Sequence, residues 1–411
     1  MHHSSLPLKE LRQQYQIDLF DEYLPFVEKH VFDYELGGFL CNTTPQGQRV
    51  SNVKRIWYQG RGIWVCSFLY SNFGREQRYL DIAEKTIRLL LKHQPAEGQT
   101  WPVEIDRDGQ PLGPPDPEIY GDLFIAEGLV GFSKASGDRH YWDLAKEIIR
   151  KCVPIYDRPD YSPHAGEHYF GTGAKPFPGV RVLGAWMVFL RLATQMLEIR
   201  ADREISELAD RSIDAILNRH FNPRFRLMNE LLQHDLSRPG DRYEQFVYAG
   251  HALETCWMVM DEAVRRQDHE LFRRAAEQFR RHVDVAWDRV YGGLYCNLQN
   301  VDENAWVLDK ILFPQQEALA GMLLLAEHSD DPWAPTAFLE LNAWAHEKYP
   351  LKQHGSPLWQ ITGNRQVDYM PDTTRIENYH HPRFLMLSLL TLDRMLSQSD
   401  RVPAAGAPHS A

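Results

Sequence analysis

Twelve helical stretches are joined by connections that are alternately long and short, and this alternation constrains the fold more than any other feature. Long, turn-rich segments follow the odd-numbered stretches, as at Gly37-Gly38 and Gly292-Gly293. After the even-numbered stretches the chain reverses within a few residues, as at Ser136-Gly137-Asp138. Because helices joined by short loops are antiparallel neighbours, all long loops should gather on one face with the N-termini of the even helices. We expect the functional site on that face.

The distribution of apolar residues separates the helices into two sets. The segments 317–326 and 384–390, in even helices, are apolar on nearly every side, whereas the odd helices, such as 202–218, are amphipathic. A helix that is apolar all round is buried all round. The pattern therefore predicts an all-α (α/α)6 toroid: an inner ring of even helices, an outer ring of odd ones, and short β-hairpins on the active-site face. This domain should span residues 6–398, and two stacked helical-repeat domains are the alternative.

A weak internal repeat supports the hairpins. Residues 32–42 are echoed by 287–297, and 221–230 form a fainter copy. Each copy follows an odd helix and has the composition of a turn leading into a short strand. The Pro/Ala/Ser-rich segment 399–411 is expected to be a disordered tail.

Composition excludes several classes of function. The net charge of −11 argues against nucleic-acid binding, which needs a basic face. The chain contains no apolar stretch long enough to cross a membrane and its N-terminus is polar, so we expect neither a span nor a signal peptide. The five cysteines are scattered without a CxxC pair, which is typical of reduced thiols in a cytoplasmic protein.

Two short motifs are not interpreted as sites. Residues 164–168 match the HxxEH zinc pattern, but Pro163 and Gly166 favour a loop, and the pattern needs a helix to aim both imidazoles. The glycine-rich segment 171–175 lacks the spacing of a phosphate-binding loop. We therefore expect no metal and no cofactor.

Polar and aromatic side chains recur where each even helix begins. A lone histidine on a helix is more often structural than catalytic, but here the shared position favours one convergent site. His251 and Glu254 are three residues apart, so they share a helical face, and a neighbouring carboxylate would fix the imidazole tautomer. His380 and His381 point about 100° apart, so only one should face the site. The candidate residues are Trp57, Tyr58, Arg61, Tyr120, Trp186, His251, Glu254, Phe313, Gln316, Glu317, His380, His381 and Arg383.

Four of these segments resemble the N-acylglucosamine 2-epimerase family, which includes cellobiose 2-epimerases and mannose isomerases. The matching motifs are Trp57-x-Gln59-Gly60-Arg61-x-x-Trp64, Gly250-His251-Ala252-Leu253-Glu254-x-x-Trp257, Lys310-x-x-Phe313-Pro314-Gln315-x-Glu317-Ala318 and Tyr379-His380-x-x-Arg383. The resemblance implies an (α/α)6 toroid with His251 and His380 as the acid/base pair. It also implies that Arg61 lies near the carbonyl oxygen, and that Glu254 and Glu317 are supporting carboxylates. Cellobiose-type members have a further histidine on the sixth inner helix, where this chain has Gly184-Ala185-Trp186.

The expected reaction is removal and return of the proton beside a sugar's carbonyl group, through an enediolate. Two histidines on opposite faces would invert C2 of an N-acylglucosamine or N-acylmannosamine type of aldose, whereas one histidine moving the proton from C2 to C1 would make a ketose. A glycoside hydrolase is the competing enzyme class, with Glu104, Asp106 and Glu230 as candidate carboxylates. A non-catalytic sugar-binding protein is the remaining alternative. The expected partner is a small sugar, with a homodimer left open.

Overall fold

Helices that alternate in direction account for most of the chain in the computed structural model, which describes residues 6–162 and 165–399. The first, α1, contains the segments Leu8–Gln16, Ile17–Tyr23 (π-helical) and Leu24–His30, and α7 contains Arg203–Asp214 and the π-helical Ala215–His220. The other ten are α2 (Ile56–Asn72), α3 (Gln77–Lys92), α4 (Tyr120–Ser136), α5 (Arg139–Tyr156), α6 (Leu183–Ile199), α8 (Ala249–Arg266), α9 (His269–Ala286), α10 (Leu312–His328), α11 (Trp333–Lys348) and α12 (His380–Ser399).

The even helices close into a ring. Each even helix contacts the next in the series α2, α4, α6, α8, α10 and α12, and α12 contacts α2. The odd helices pack outside them, with α1 against α12 at the end of the series. Leu323, Leu325 and Ala326, which point in different directions from α10, are all buried. The (α/α)6 toroid is therefore confirmed, and a closed ring excludes two separate helical stacks.

Short turns join the even helices to the odd ones because their residues suit tight reversal. Gly137 ends α4 in the left-handed conformation (φ 77°), which glycine adopts without a Cβ clash. Asp138, Asp202 and Asp268 then cap α5, α7 and α9 by accepting a hydrogen bond from a backbone N–H in the first helical turn. These turns define one end of the ring, the short-turn face.

The opposite end, the long-loop face, carries segments 31–55, 93–119, 157–182, 221–248, 287–311 and 349–379. Most of its antiparallel strand pairs join one long loop to the next and so hold the loops together: Lys54–Arg55 with Glu104–Ile105, Arg181–Val182 with Leu231–Leu232, Val247–Tyr248 with Asn297–Asn300, and Lys310–Ile311 with Thr362–Gly363. Hairpins within one loop pair Phe221–Asn222 with Leu227–Met228 and Asn297–Asn300 with Ala305–Val307.

The internal repeat is visible in the contacts. Its three copies close through equivalent backbone pairs, Phe32 with Phe39, Phe221 with Met228 and Trp287 with Leu294. In the first copy, the buried ammonium of Lys54 lies 3.1 Å from Asp33 and donates to the carbonyl oxygen of Gly37. In the 287–297 copy, Lys310 makes the same contacts with Asp288 and Gly292. The predicted turn into a strand is confirmed in the 221–230 and 287–297 copies, whereas the turn of the first copy closes through a single isolated bridge.

Two of the predicted segments, 164–168 and 399–411, lie partly outside the described residues. Residues 165–170, predicted as loop, form a short helix (Ala165–Phe170), so Gly166 does not prevent helix formation there; His164 lies outside the described residues. The expected tail also lies outside them from residue 400 onwards. Within 6–162 and 165–399, no helix has the length and apolar character needed to cross a membrane.

Candidate active site

The long-loop face surrounds a cavity of about 510 Å³ at the mouth of the inner ring. Residues from all six inner helices were predicted to converge here, and the structure brings most of them together. The predicted residues that line the cavity are Trp57, Tyr58, Arg61, Tyr120, His251, Glu254, Phe313, Gln316 and His380. Loop residues complete the wall, including Asp116, Glu118, Tyr169, Arg375 and Glu377.

His251 lies in the first turn of α8 and is held by a carboxylate from a long loop. Its Nδ1 is 2.8 Å from Oε1 of Glu230, a fully buried residue, and the hydroxyl of Tyr169 donates to the same oxygen. The ring of Tyr248 packs against the imidazole at 4.2 Å between centroids. With Nδ1 engaged, Nε2 is the ring nitrogen left for chemistry in the cavity.

Glu254 does not orient His251 as its spacing predicted. Its carboxylate pairs instead with Arg383 of α12, and both side chains are almost fully buried. Two residues three apart share a helical face, but the partner of each is decided by what lies across the ring. Arg383 supplies a full positive charge deeper in the ring, while Glu230 reaches His251 at the rim.

His380 occupies the first turn of α12 and has its own carboxylate. Its Nδ1 lies 2.9 Å from Oε1 of Glu317, and the other oxygen of Glu317 accepts from Nε1 of Trp257 at 2.8 Å. Arg383 is 2.7 Å from the same Oε1, so Glu317 is shared between the imidazole and the guanidinium. Glu317 and Arg383 therefore lie beneath the cavity wall and position His380 from below.

The two histidines have opposite pKa shifts. Burial alone would lower the pKa of His251, but the adjacent charge of Glu230 and the hydrogen bond to it raise the pKa above its ordinary value. Burial lowers the pKa of His380 to about 3, since the attraction of Glu254 and Glu377 is opposed by Arg383 and Arg61. At neutral pH, His380 is therefore a neutral base, while His251 retains a proton more readily.

Arg61 supplies one of the positive charges at the cavity wall. Its guanidinium stacks on Phe124 at 4.1 Å and on Tyr379 at 4.7 Å, and the carboxylate of Glu377 is 4.0 Å away. Gly60 allows this approach of α2 to α4, because a Cβ there would lie 2.3 Å from the carbonyl of Phe124. A cation held by aromatic faces keeps donors for a ligand oxygen.

Among the residues that the structure describes, one group places metal-ligating side chains close together. Oxygen or nitrogen atoms of Glu254, Glu317 and His380 lie within 4.8 Å of one another. Arg383, however, contacts both carboxylates and supplies the positive charge between them. The guanidinium of Arg383 already balances the charge of the two carboxylates, so this group does not fit an added metal cation.

Trp186 is not part of the cavity wall, contrary to its predicted role. It is 1% exposed and packs edge-on against Tyr156, with Arg211 of α7 over its ring. The sixth helix instead presents Gly184 and Met187 to this region. The helical positions that face the ring's axis are thus occupied by other residues, and Trp186 points outward into the core.

His381 also lies outside the cavity. Its Nδ1 is 2.6 Å from Nε2 of Gln316, and its ring packs near Tyr23 and Trp359. Of the two adjacent histidines only one faces the site, as their angular separation predicted, and it is His380.

Sequence reasoning missed the contact of Glu230 with His251, since Glu230 was considered only as a hydrolase carboxylate. It ends the 221–230 copy of the repeat, at the position that is Cys41 in the first copy and Cys296 in the 287–297 copy. Those thiols are buried beside the same face. A charged residue at a repeat position that is otherwise a buried cysteine was the available signal.

Comparison with known proteins adds an independent observation. The family model for N-acylglucosamine 2-epimerase (GlcNAc 2-epimerase) matches residues 37–381. The chain belongs to this family. The N-acylglucosamine 2-epimerase of Bos taurus is 25% identical over 411 residues, covering 94% of this chain and 94% of that protein. The family resemblance carried by the four motifs is confirmed, and the chain is a carbohydrate epimerase or isomerase.

Solved structures show the same fold. The cellobiose 2-epimerase from Bacillus thermoamylovorans superposes with a TM-score of 0.78 at 15% identity, covering 93% of this chain and 99% of that one. A D-mannose isomerase superposes with a TM-score of 0.72 at 16% identity, covering 95% and 98%. Both solved structures thus share the (α/α)6 ring of this chain.

Proposed function

We propose that this chain interconverts the C2 epimers of an N-acylglucosamine and N-acylmannosamine type of aldose, with His380 and His251 as the two catalytic residues. The observation that carries the proposal is the paired arrangement of the imidazoles. Each has Nδ1 engaged by a buried carboxylate, and both line one cavity with Arg61. The ring of Phe313 lies between them, 6.3 Å from His251 and 4.9 Å from His380.

The reaction begins on the open-chain sugar, whose aldehyde acidifies the hydrogen on C2. Neutral His380 accepts that proton on Nε2, the C2–H electron pair forms a C1–C2 double bond, and the carbonyl electrons move to the C1 oxygen, which gives an enolate. Arg61 stabilises the negative charge that develops on the carbonyl oxygen. Protonated His251 then delivers its proton to the other face of C2, which restores the aldehyde with inverted configuration. Each positioned group contributes roughly 10²–10⁴-fold.

The reverse reaction uses the same groups with exchanged roles. After one turnover His380 holds a proton and His251 is neutral, so the free enzyme must exchange protons with water before the same epimer reacts again. The opposite pKa shifts favour the state with His251 charged and His380 neutral. The epimer whose C2 hydrogen faces His380 is therefore the one that the resting enzyme is prepared to deprotonate.

The substrate class is supported by sequence and by the shape of the wall. The relative that covers nearly the whole chain is an N-acylglucosamine 2-epimerase, whereas the cellobiose 2-epimerase of Bacteroides fragilis is 30% identical over only 31% of this chain. On α6, the segment Gly184-Ala185-Trp186 lacks the histidine that cellobiose-type members carry on this helix, and a Cβ at Gly184 would lie 2.3 Å from the Tyr120 hydroxyl. We place the reaction in the cytoplasm, consistent with five buried free cysteines.

Incubation of candidate aldoses in D₂O, followed by NMR, tests the proposal. Because two bases do not share a proton, we expect solvent deuterium at C2 of the product epimer from the first turnovers. His251→Asn and His380→Asn should each abolish epimerisation. Release of a ketose that retains the original hydrogen at C1 would contradict the two-base reaction and favour the aldose–ketose isomerase.

A further inference from the structure

A second cavity, of about 290 Å³, lies at the short-turn face of the ring. All six inner helices contribute to it, from the ends opposite to those that form the active site. Its lining includes Trp64, Lys134, Arg191, Trp257, Leu324 and Ser388, and it shares no lining residue with the cavity that contains the histidines.

Buried polar atoms in this wall lack partners. Arg191 is 7% exposed and pairs through Nη1 with Asp261 at 2.6 Å, but within the described chain its Nε has no hydrogen-bond acceptor. Ser388 is 2% exposed, and over residues 6–162 and 165–399 nothing bonds to its hydroxyl. Buried polar groups are normally satisfied, so an unpaired guanidinium nitrogen and hydroxyl in one wall favour a polar ligand over an apolar one.

The charges of the wall are balanced. Lys134 is 2.9 Å from Glu198, Arg191 pairs with Asp261, and Arg394 is 2.5 Å from Glu327. A strongly charged ligand would have to compete with one of these ion pairs. A neutral hydroxyl group both donates and accepts, so it can bond to Arg191 and Asp261 without separating them.

The remaining surface is apolar. The indoles of Trp64 and Trp257 and the side chain of Leu324 line the cavity beside these polar groups. Each indole N–H is already used, by Gln195 and Glu317 respectively, so the tryptophans offer hydrocarbon surface. Such a wall suits a molecule with both hydroxyl groups and C–H faces.

We propose that this cavity binds a neutral polyhydroxylated molecule of monosaccharide size. The volume is at the lower end for ligand cavities, about 300–1,000 Å³, which limits the occupant to one sugar-sized unit. The ligand's hydroxyl groups accept from Nε of Arg191 and bond to Ser388, and its C–H face covers the indoles. This inference is independent of the reaction assigned to the other cavity.

Hydrogen bonds between buried side chains connect the wall of the second cavity to the active site. Trp257 forms part of its wall and donates to Glu317, whose other oxygen holds His380. Gln195, also in the wall, donates to Glu127, which accepts from the hydroxyl of Tyr379. An occupant is therefore separated from His380 by one tryptophan and one carboxylate.

Sorbitol is a suitable probe because it has no carbonyl group and cannot be epimerised. Crystals of the full chain soaked in sorbitol should show it in the second cavity, against Arg191 and Ser388. In calorimetric titrations, Leu324→Trp, which fills the cavity from a partly exposed position, should weaken the binding at this site at least tenfold. Leu339→Trp on the outer helix α11 is the matched control and should leave the titration unchanged.

Ser388→Ala provides a second test if the larger variant folds poorly, because it removes only the unpaired hydroxyl. It should weaken sorbitol binding severalfold while circular dichroism and turnover of an aldose remain unchanged. Solvent alone in the second cavity of soaked wild-type crystals would overturn the inference. Equal sorbitol affinity in wild type, Leu324→Trp and Ser388→Ala would also overturn it.

Discussion

His251 and His380 each bond through Nδ1 to a buried carboxylate, but burial lowers the pKa of both imidazoles and only at His251 do the neighbouring carboxylates outweigh it. Glu230 has no basic side chain other than His251 within hydrogen-bond distance in the described chain, so its charge acts on the imidazole. Glu317 is divided between His380 and the guanidinium of Arg383. One site can therefore hold an acid and a base at the same pH, which proton transfer across C2 requires.

Glu230→Gln should slow epimerisation and shift its pH dependence. Loss of the carboxylate charge removes the interaction that raises the pKa of His251, so that pKa should fall. Since protonated His251 delivers the proton, the alkaline limb of the kcat/KM profile should move to lower pH. We expect a roughly 10- to 100-fold loss of kcat/KM near neutrality.

The matched control is Glu104→Gln, which changes a loop carboxylate that pairs with Arg55 and is about one third exposed. This variant should keep both the rate and the pH profile of the wild type. A Glu230→Gln profile that superimposes on that of Glu104→Gln would show that Glu230 does not set the protonation of His251.

Glu254→Gln should act mainly on stability. Its carboxylate is the buried partner of Arg383, and breaking such a pair from one side costs about 3–5 kcal/mol because the remaining charge is uncompensated. We expect a lower Tm by calorimetry, with an alkaline limb that moves much less than in Glu230→Gln. A Tm equal to that of the wild type would contradict the structural role.

At the scale of single elements, helix α6 contributes to the active site a position that has no side chain, Gly184. Gly184 faces the space between Tyr120 and His251, and a Cβ there would lie 2.8 Å from Cε1 of His251. The imidazole can reach Glu230 only because this position has no side chain. Helix α6 thus shapes the site without a polar group of its own.

Gly184→Ala should therefore displace His251 while preserving the ring. Alanine is favoured over glycine within a helix by about 1 kcal/mol, so Tm should change little, while kcat should fall roughly tenfold or more. Gly131→Ala on α4, at the other end of the inner ring, is the control and should retain activity. Wild-type turnover by Gly184→Ala would show that a methyl group at this position does not displace His251.

The sequence was sufficient for the helices and their rings, since periodicity and turn residues report local structure. It also placed Arg61 and His380 at the cavity, because the start of an even helix is a position that can be read from the chain. It was wrong about the partner of His251 and about Trp186. Helical spacing specifies a face of one helix, whereas contacts across the ring depend on loop paths that no local pattern encodes.

At the scale of the whole molecule, the ring has two ends with different chemistry. The long-loop face carries the histidines, and the short-turn face carries the second cavity with its balanced charges. Between them lies a buried layer that contains Glu127, Glu317 and Arg383. Replacement of residues in this layer should therefore affect both ends of the ring.

The closure of the ring between its first and last helices makes the molecule cyclic in all but covalent bonding. Helix α1 packs on α12, and Arg12 pairs with Asp393, at the face where every other even-to-odd step is a tight reversal. A circular permutant that joins these helices by a flexible linker and begins instead at Asp268, after Gln267, should therefore fold and turn over its sugar. A permutant that purifies only as unfolded protein would show that the order of synthesis, and not the cyclic packing, governs assembly.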